Sequence, residues 1–205
     1  MKRFDEDMQR FQRENAQLVK RQNAIVLYGS STFTRWSKED IDRDLTGMEV
    51  INRGFGDSSA EEALAYFDVA VRSVAPKMMI YYEGANDVAR DQTVEESFAY
   101  TVKVYEKAKA MNPQMVWVFL LLHMCPGRME HHASYRELNE LYKAFCKEHD
   151  RCHWVDINPI IHGEDGRLKQ DFYIEDGLHF TPEGYREFGQ TMYKKLTNIL
   201  EEEKS

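Results

Sequence analysis

Cysteine is scarce in this chain, and its few copies are poorly spaced for structural roles. The 205 residues include three cysteines, Cys125, Cys146 and Cys152, which is an odd number, and no two of them form a Cys-x-x-Cys pair. Disulfide frameworks use even numbers of cysteines, and zinc sites use closely paired ones. The sequence therefore predicts free, reduced thiols, with neither a disulfide framework nor a zinc site.

A basic surface is missing as well. The chain has 27 Lys and Arg against 35 Asp and Glu, for a net charge of −8, and its basic residues form no stripe. Proteins that bind nucleic acid or anionic membranes carry basic patches, because phosphates are negatively charged. We therefore expect a small-molecule ligand as the partner, with no nucleic acid and no membrane.

Long apolar runs are also absent. Residues 1–22, MKRFDEDMQRFQRENAQLVKRQ, are charged throughout and lack the apolar core of a secretory signal, and no later stretch approaches the length of a membrane span. The expected location is the cytoplasm.

What the chain does contain is an alternation of short apolar runs with long helix-compatible segments. Five runs suit β-strands, at residues 24–28, 48–52, 77–82, 115–122 and 153–157. Strands joined by helical crossovers form a parallel sheet covered on both faces. Because nothing resembles a linker, residues 1–205 are predicted to form one α/β domain, a three-layer α/β/α sandwich with a five-stranded parallel sheet in a flavodoxin-like layout.

Helices are predicted at both ends of the chain. An amino-terminal helix over about residues 2–20 carries an apolar stripe of Phe4, Met8, Phe11 and Leu18. Such a stripe packs on the domain or forms a dimer interface, so the pattern leaves a homo-oligomer open. The last helix is predicted to begin at Thr181 and Pro182, an N-cap residue followed by proline.

The first predicted strand ends in two adjacent serines, in the stretch IVLYGSSTF (residues 25–33). In open parallel sheets, ligands bind outside the carboxyl ends of the strands, and the first strand usually lies where the strand order reverses. Gly29 permits a sharp turn, and a serine just inside the next helix lies beside backbone N–H groups that favour negative charge. The alternative is that Ser30, Ser31 and Thr32 only cap that helix.

Three other stretches are predicted to lie at the same edge of the sheet, either at strand carboxyl ends or in the last loop beside them. We call this edge the rim. The stretches are NRGFGDSS (residues 52–59), YEGANDVA (residues 82–89) and EDGLHFTPEGY (residues 175–185). Together the four stretches supply a serine, a glycine amide, an asparagine amide and an Asp-x-x-His pair, which are the groups that acyl transfer needs.

In order and spacing, these blocks resemble those of the SGNH hydrolases, also called GDSL-type esterases and lipases. The matching residues are Gly29-Ser30-Ser31, Gly56, Gly84-Ala85-Asn86-Asp87 and Asp176-Gly177-Leu178-His179. One departure is Ser30, which stands where the family usually has aspartate.

The resemblance implies a carboxylic ester hydrolase that works through an acyl-enzyme. It makes Ser31 the nucleophile, His179 the general base and Asp176 the residue that orients His179. It also implies an oxyanion hole formed by the backbone N–H groups of Ser31 and Gly56 and the side-chain amide of Asn86. No metal or cofactor is required.

The substrate expectation comes from the polar loop at residues 124–134, MCPGRMEHHAS, which favours a shallow crevice and short acyl groups. We expect acetyl or similar esters, on a carbohydrate or small metabolite. The alternatives are a lipase-, lysophospholipase- or thioesterase-like hydrolase, and a binding module on a flavodoxin-like fold.

Weaker candidates surround this set. Ser30 and Arg128 are candidate substrate contacts, although Arg128 also fits a surface charge. Ser58, in the literal string Gly-Asp-Ser at residues 56–58, is interpreted as a loop or cap residue. Cys125 lacks a partner base, which favours an incidental thiol, and Asp87 is expected to hold its own turn.

Overall fold

The structure, a computed structural model, describes residues 3–18 and 24–204. Five strands form one sheet: β1 (Ile25–Gly29), β2 (Val50–Gly54), β3 (Met78–Tyr82), β4 (Val116–Leu120) and β5 (Cys152–Val155). The helices are α1 (Asp5–Gln17), α2 (Ser31–Thr34), α3 (Lys38–Asp44), α4 (Ala60–Phe67), α5 (Ala85–Val88), α6 (Val94–Met111), α7 (His132–Glu148), α8 (Asn158–Ile161) and α9 (Pro182–Glu202).

The sheet is parallel throughout, with strand order β2-β1-β3-β4-β5. Every residue of β1, β3 and β4 is buried, as expected for strands covered on both faces. The predicted five-stranded parallel sheet is therefore confirmed, with strand boundaries shifted by one or two residues.

Helices cover both faces of the sheet, so the three-layer α/β/α prediction is confirmed. Helix α3 packs against α9, whereas α4 packs against α6 and α6 against α7. Helix α9 begins where the sequence predicts, because the Thr181 hydroxyl caps it by accepting a hydrogen bond from the Gly184 N–H at 3.1 Å. Among the described residues, no helix is both long and apolar enough to cross a membrane.

The apolar stripe of α1 faces the chain's own core. Phe4, Met8 and Phe11 are buried, and the ring of Phe4 meets that of Phe55 edge-on at 5.2 Å. Leu18 is only partly buried. Residues 2, 19 and 20 of the predicted helix lie outside the described residues.

The register of the sheet places several chain segments on one rim. Gly29 pairs with Gly54 on one side and with Tyr82 on the other, so the residues that follow these three strands emerge side by side. Gly29 has φ +144°, and a Cβ there would lie 2.1 Å from the Tyr82 carbonyl oxygen. Only glycine fits this turn, which brings the chain from β1 into α2.

Candidate active site

Ser31 is the first residue of α2, directly after the Gly29 turn. The Ser30 N–H donates to the Tyr82 carbonyl at 3.1 Å, which ties the start of α2 to the end of β3. Ser30 occupies the N-cap, but its hydroxyl caps no N–H of the described residues. The Ser31 Oγ instead lies 3.0 Å from Nε2 of His179.

His179 lies on a short turn that precedes α9. An antiparallel bridge between Tyr173 and Phe180 closes this turn, and the Ile174 N–H donates to the His179 carbonyl at 2.8 Å. Phe180 is buried and packs on the α9 residue Phe188. The imidazole is therefore held by a turn that is fixed to the core.

Asp176 completes a continuous chain of hydrogen bonds with Ser31 and His179. Its Oδ2 lies 2.6 Å from Nδ1 of His179, while its Oδ1 accepts the backbone N–H groups of Leu178 and His179, each at 2.9 Å. Burial acts to raise the pKa of Asp176, but the hydrogen bonds from these groups outweigh it and lower the pKa to about 2. The carboxylate is therefore charged at neutral pH.

The backbone N–H groups of Ser31 and Gly56 are two candidate donors near the serine. A Cβ built on Gly56 would lie 4.0 Å from the Cβ of Ser31, so the backbone of the loop after β2 lies against the serine. Within residues 3–18 and 24–204, neither the Ser31 nor the Gly56 N–H has a hydrogen-bond acceptor. Both are available to a ligand oxygen.

Asn86 lies on α5 and is buried, with 6% of its surface exposed. Its Nδ2 donates to Oγ of Ser30 at 2.7 Å and to the carbonyl of Ser58 at 2.9 Å. The structure therefore brings together the serine, histidine, aspartate, glycine and asparagine that the sequence motifs single out. Ser30, predicted as a substrate contact, has its hydroxyl on the Asn86 amide.

Arg128 reaches the same asparagine from the other side. Its Nη2 donates to Oδ1 of Asn86 at 2.9 Å, and its Nη1 donates to the Ala85 carbonyl at 3.0 Å. The sequence offers no signal for these contacts, because the partners are more than 40 residues apart. The segment that carries Arg128, predicted as a loop, is a 3₁₀ turn (Pro126–His131) followed by α7.

The other candidates lie away from this hydrogen-bond chain. Ser58 is fully buried, where its hydroxyl bonds to the Phe55 carbonyl at 2.8 Å and to Oε1 of Glu83 at 2.5 Å. Its neighbour Ser59 is the residue that caps α4. Burial raises the pKa of the Cys125 thiol to about 11, which leaves it protonated at neutral pH.

Asp87 holds its own turn, as expected from the sequence, and also a neighbouring helix. Its carboxylate accepts the Gly84 N–H at 3.2 Å and the Ala60 N–H, at the start of α4, at 3.0 Å. Burial raises the pKa of Asp87, and these hydrogen bonds act against that rise.

A small pocket opens beside the Ser31 hydroxyl. Besides the residues already described, it is lined by Thr32, Tyr82, Ala85, His123 and Leu178. The volume open to the centre of a water-sized group is about 10 Å³. This is room for about one such group. A larger groove, of about 600 Å³, lies beside the edge strand β2 and is lined by neither Ser31 nor His179.

Comparison with known proteins places the chain in a family. The profile of the GDSL-like Lipase/Acylhydrolase family matches residues 14–187. The chain belongs to this family. As a GDSL-like acylhydrolase, it is a carboxylic ester hydrolase.

Relatives resemble the chain in sequence, and solved structures resemble it in fold. The GDSL-like hydrolase is 24% identical, over 184 residues, to platelet-activating factor acetylhydrolase IB subunit alpha1 of Rattus norvegicus. The alignment covers 86% of this chain and 76% of the relative. A GDSL-like lipase from Bacteroides thetaiotaomicron superposes with a TM-score of 0.77 at 22% identity, covering 93% of this chain and 97% of the other. The acetyl xylan esterase AlAXEase superposes with a TM-score of 0.72 at 14% identity, covering 84% and 99%.

Proposed function

We propose that this GDSL-like hydrolase is a serine esterase that cleaves short-chain carboxylic esters through an acyl-enzyme on Ser31. The observation that carries the proposal is the hydrogen-bond chain from the Ser31 Oγ to His179 at 3.0 Å and from His179 to Asp176 at 2.6 Å. A serine, a base and a carboxylate in that order form the arrangement that activates a hydroxyl for attack on an acyl carbon.

In the first step, the Ser31 Oγ attacks the ester carbonyl while Nε2 of His179 accepts the hydroxyl proton. Asp176 accepts a hydrogen bond from Nδ1 of His179, which selects the tautomer with a free Nε2 and stabilises the imidazolium that forms. His179 then passes the proton to the departing alcohol, leaving the acyl group on Ser31. Water, deprotonated by the same imidazole, releases the acid.

The negative charge on the carbonyl oxygen is held by the N–H groups of Ser31 and Gly56 and by the Asn86 amide. The two backbone donors have no acceptor among the described residues. The Asn86 amide donates one N–H to the Ser58 carbonyl and turns the other from the Ser30 hydroxyl, next to Ser31, to the oxyanion. Each such donor contributes roughly 3 kcal/mol of transition-state stabilisation.

The acyl group is short because the pocket beside Ser31 is small. It offers about 10 Å³ to the centre of a water-sized group, which suits an acetyl methyl and leaves no enclosed space for a long chain. Two of the proteins compared above are an acetylhydrolase and an acetyl xylan esterase by name. Acetyl esters of a carbohydrate or of a small metabolite are the substrates that we propose.

Labelling with a fluorophosphonate tests the nucleophile directly. We expect one adduct per chain, mapped by mass spectrometry to Ser31, and loss of both labelling and p-nitrophenyl acetate hydrolysis in Ser31→Ala. Ser73→Ala, at an exposed serine, is the matched control and is expected to retain both. An adduct on Ser30 or Ser58 would contradict the assignment.

A further inference from the structure

Asn86 is the one proposed oxyanion donor that belongs to a side chain, so its amide must be held in one orientation. If the amide rotates by half a turn, Oδ1 replaces Nδ2 and a repulsive carbonyl faces the developing negative charge. The contacts around Asn86 decide which atom lies where. On one side, the Ser58 carbonyl can only accept a hydrogen bond, so it selects the NH₂ end at 2.9 Å.

Arg128 fixes the opposite end of the amide. A guanidinium group has only donors, so the Asn86 atom that it meets at 2.9 Å must be the carbonyl oxygen Oδ1. Donation by a cation to Oδ1 also draws electron density from the amide, which makes its N–H groups stronger donors.

The guanidinium is itself held by the protein. Its Nη1 donates to the Ala85 carbonyl at 3.0 Å and lies 3.4 Å from the hydroxyl of Tyr135, which is 1% exposed. The Tyr135 hydroxyl donates to the same Ala85 carbonyl at 3.2 Å. The backbone leaves the helical conformation at Arg128, with φ −143° and ψ 39°.

No carboxylate of the described residues forms an ion pair with Arg128. The partners of its guanidinium among the described residues are neutral: two oxygens of the α5 residues Ala85 and Asn86, and one tyrosine hydroxyl. Its positive charge is therefore not cancelled locally and acts on the neighbouring oxyanion site.

We propose that Arg128 is a positioning residue of the oxyanion hole, which locks the Asn86 amide with Nδ2 toward the reacting carbonyl and strengthens its donation. The proposal rests on the proposed function for its catalytic consequence, but the contact with Asn86 does not. A side chain that only bound the substrate would change KM, whereas a residue that acts through Asn86 changes kcat.

A double-mutant cycle tests this coupling. We expect Arg128→Met to lower kcat on p-nitrophenyl acetate by about tenfold or more, with little change in KM, since it weakens one oxyanion donor. In the Asn86→Ala background, the same change is expected to add less than about a twofold loss, because two residues that act through one interaction are not additive. Arg128→Lys, which keeps a cationic donor, should recover part of the rate, and guanidinium ion added to Arg128→Ala should do the same.

Arg167→Met is the matched control. It also removes one arginine charge, at an exposed position on the segment before the Asp176 turn, and is expected to leave kcat and KM unchanged. A change in KM alone for Arg128→Met, or full multiplicative losses in the Asn86→Ala background, would overturn the proposal.

An NMR measurement, which does not depend on catalysis, tests this proposal separately from the esterase assignment. The side-chain ¹⁵N–¹H signals of Asn86, assigned through Asn86→Ala, are expected to shift in Arg128→Met and to stay in place in Arg167→Met. Unshifted signals would overturn the positioning role whatever the activity. If the signals shift but the protein neither hydrolyses esters nor reacts with a fluorophosphonate, the contact between Arg128 and Asn86 is supported and the esterase proposal is contradicted.

Discussion

Nδ1 of His179 lies 2.6 Å from Oδ2 of Asp176, three residues earlier on the same turn. The other oxygen of Asp176 accepts two backbone N–H groups of that turn, so the carboxylate cannot rotate away from the imidazole without losing them. The turn itself thus sets the direction of the histidine ring.

Asp176→Asn is expected to lower kcat by a factor on the order of 10³ or more. The asparagine oxygen would keep the two backbone N–H groups, so its NH₂ would face Nδ1 of His179 and force that atom to accept. The proton would then lie on Nε2, which could no longer take the proton of Ser31. Kinetics on p-nitrophenyl acetate check this, with the exposed neighbour Glu175→Gln as control; a loss below about tenfold would contradict the role of Asp176.

Glu83 offers a prediction about stability against pH. Burial, and then the charge of Asp87, raise the pKa of Glu83 well above its usual value. The Ser58 hydroxyl has a single proton, and if it goes to the Phe55 carbonyl, the short contact with Oε1 needs a proton on Glu83. Burial and the contact with Ser58 therefore both favour the neutral carboxyl of Glu83.

Because the folded-state pKa is the higher one, the folded state binds the proton more tightly than the unfolded chain does. The contribution of Glu83 to stability is therefore full below about pH 4.3, the unfolded value, and declines as the pH rises from there toward the folded pKa. Glu83→Gln mimics the neutral form and cannot ionise, so its Tm should fall less than that of the wild type as the pH is raised above about 4.3. Glu39→Gln, at an exposed position, should follow the wild type; parallel curves for Glu83→Gln would show that Glu83 is not held neutral.

Gly127 links the Arg128 segment to the Asp176 turn. Its N–H donates to the Gly177 carbonyl at 2.8 Å, and a Cβ on Gly127 would lie 2.6 Å from the Asp176 carbonyl oxygen. Gly127→Ala must therefore displace the turn that carries Asp176 and His179, and we expect kcat to fall by about tenfold or more, since small misplacements of catalytic groups are costly. Gly163→Ala is the control in the same kinetic assay, because its Cβ would meet the exposed carboxylate of Asp165 at 3.1 Å and would lie 3.8 Å from the Arg167 carbonyl oxygen, an ordinary contact distance. Equal kcat in both variants would contradict this coupling.

The strands and the start of α9 could be predicted because their signals are local. Buried strands appear as short apolar runs, and Thr181 followed by Pro182 marks a helix start by itself. Parallel strands place their carboxyl ends at one edge of the sheet. For this reason the sequence alone could predict that Ser31, Asn86 and His179 lie near one another.

The contacts that hold the site in place could not be predicted. Arg128 meets Asn86 across 42 residues, and Ser58 meets Glu83 across 25. Each depends on which side chains two separate loops turn inward, and neither residue type nor spacing records that direction. Ser30 shows the same limit, because an N-cap position predicts a backbone contact, whereas its hydroxyl accepts from Asn86.

Cys146 and Cys152 offer a test of the thiol state. Both are buried, and their sulfur atoms lie 3.2 Å apart, so a shift of about 1 Å would reach the length of a disulfide bond. Glutathione disulfide is expected to oxidise this pair, each thiol giving up one proton and one electron to form two reduced glutathiones. Mass spectrometry should then show one internal crosslink between these two residues and none to Cys125; Cys152→Ser should abolish it, and crosslinks to Cys125 would contradict the predicted pairing.

The acyl preference follows from the size of the pocket beside Ser31. About 10 Å³ is open there to the centre of a water-sized group, and Leu178 forms part of its wall. Each additional methylene of a substrate contributes about 0.8 kcal/mol only if it is buried, so chains longer than acetyl should gain little or clash. We expect kcat/KM on p-nitrophenyl esters to be highest for acetate and to fall through butanoate and octanoate.

Leu178→Ala keeps the backbone N–H that binds Asp176 but widens the pocket, so it should move the optimum toward butanoate. Ile174→Ala removes a similar side chain at a position that is 36% exposed and does not line the pocket, and it should keep the acetate preference. A steady rise of kcat/KM from acetate to octanoate in the wild type would mean that long chains find apolar surface beyond this pocket. In that case a lipase-like substrate would replace the short-chain ester, because only burial of the extra methylenes could produce such a rise.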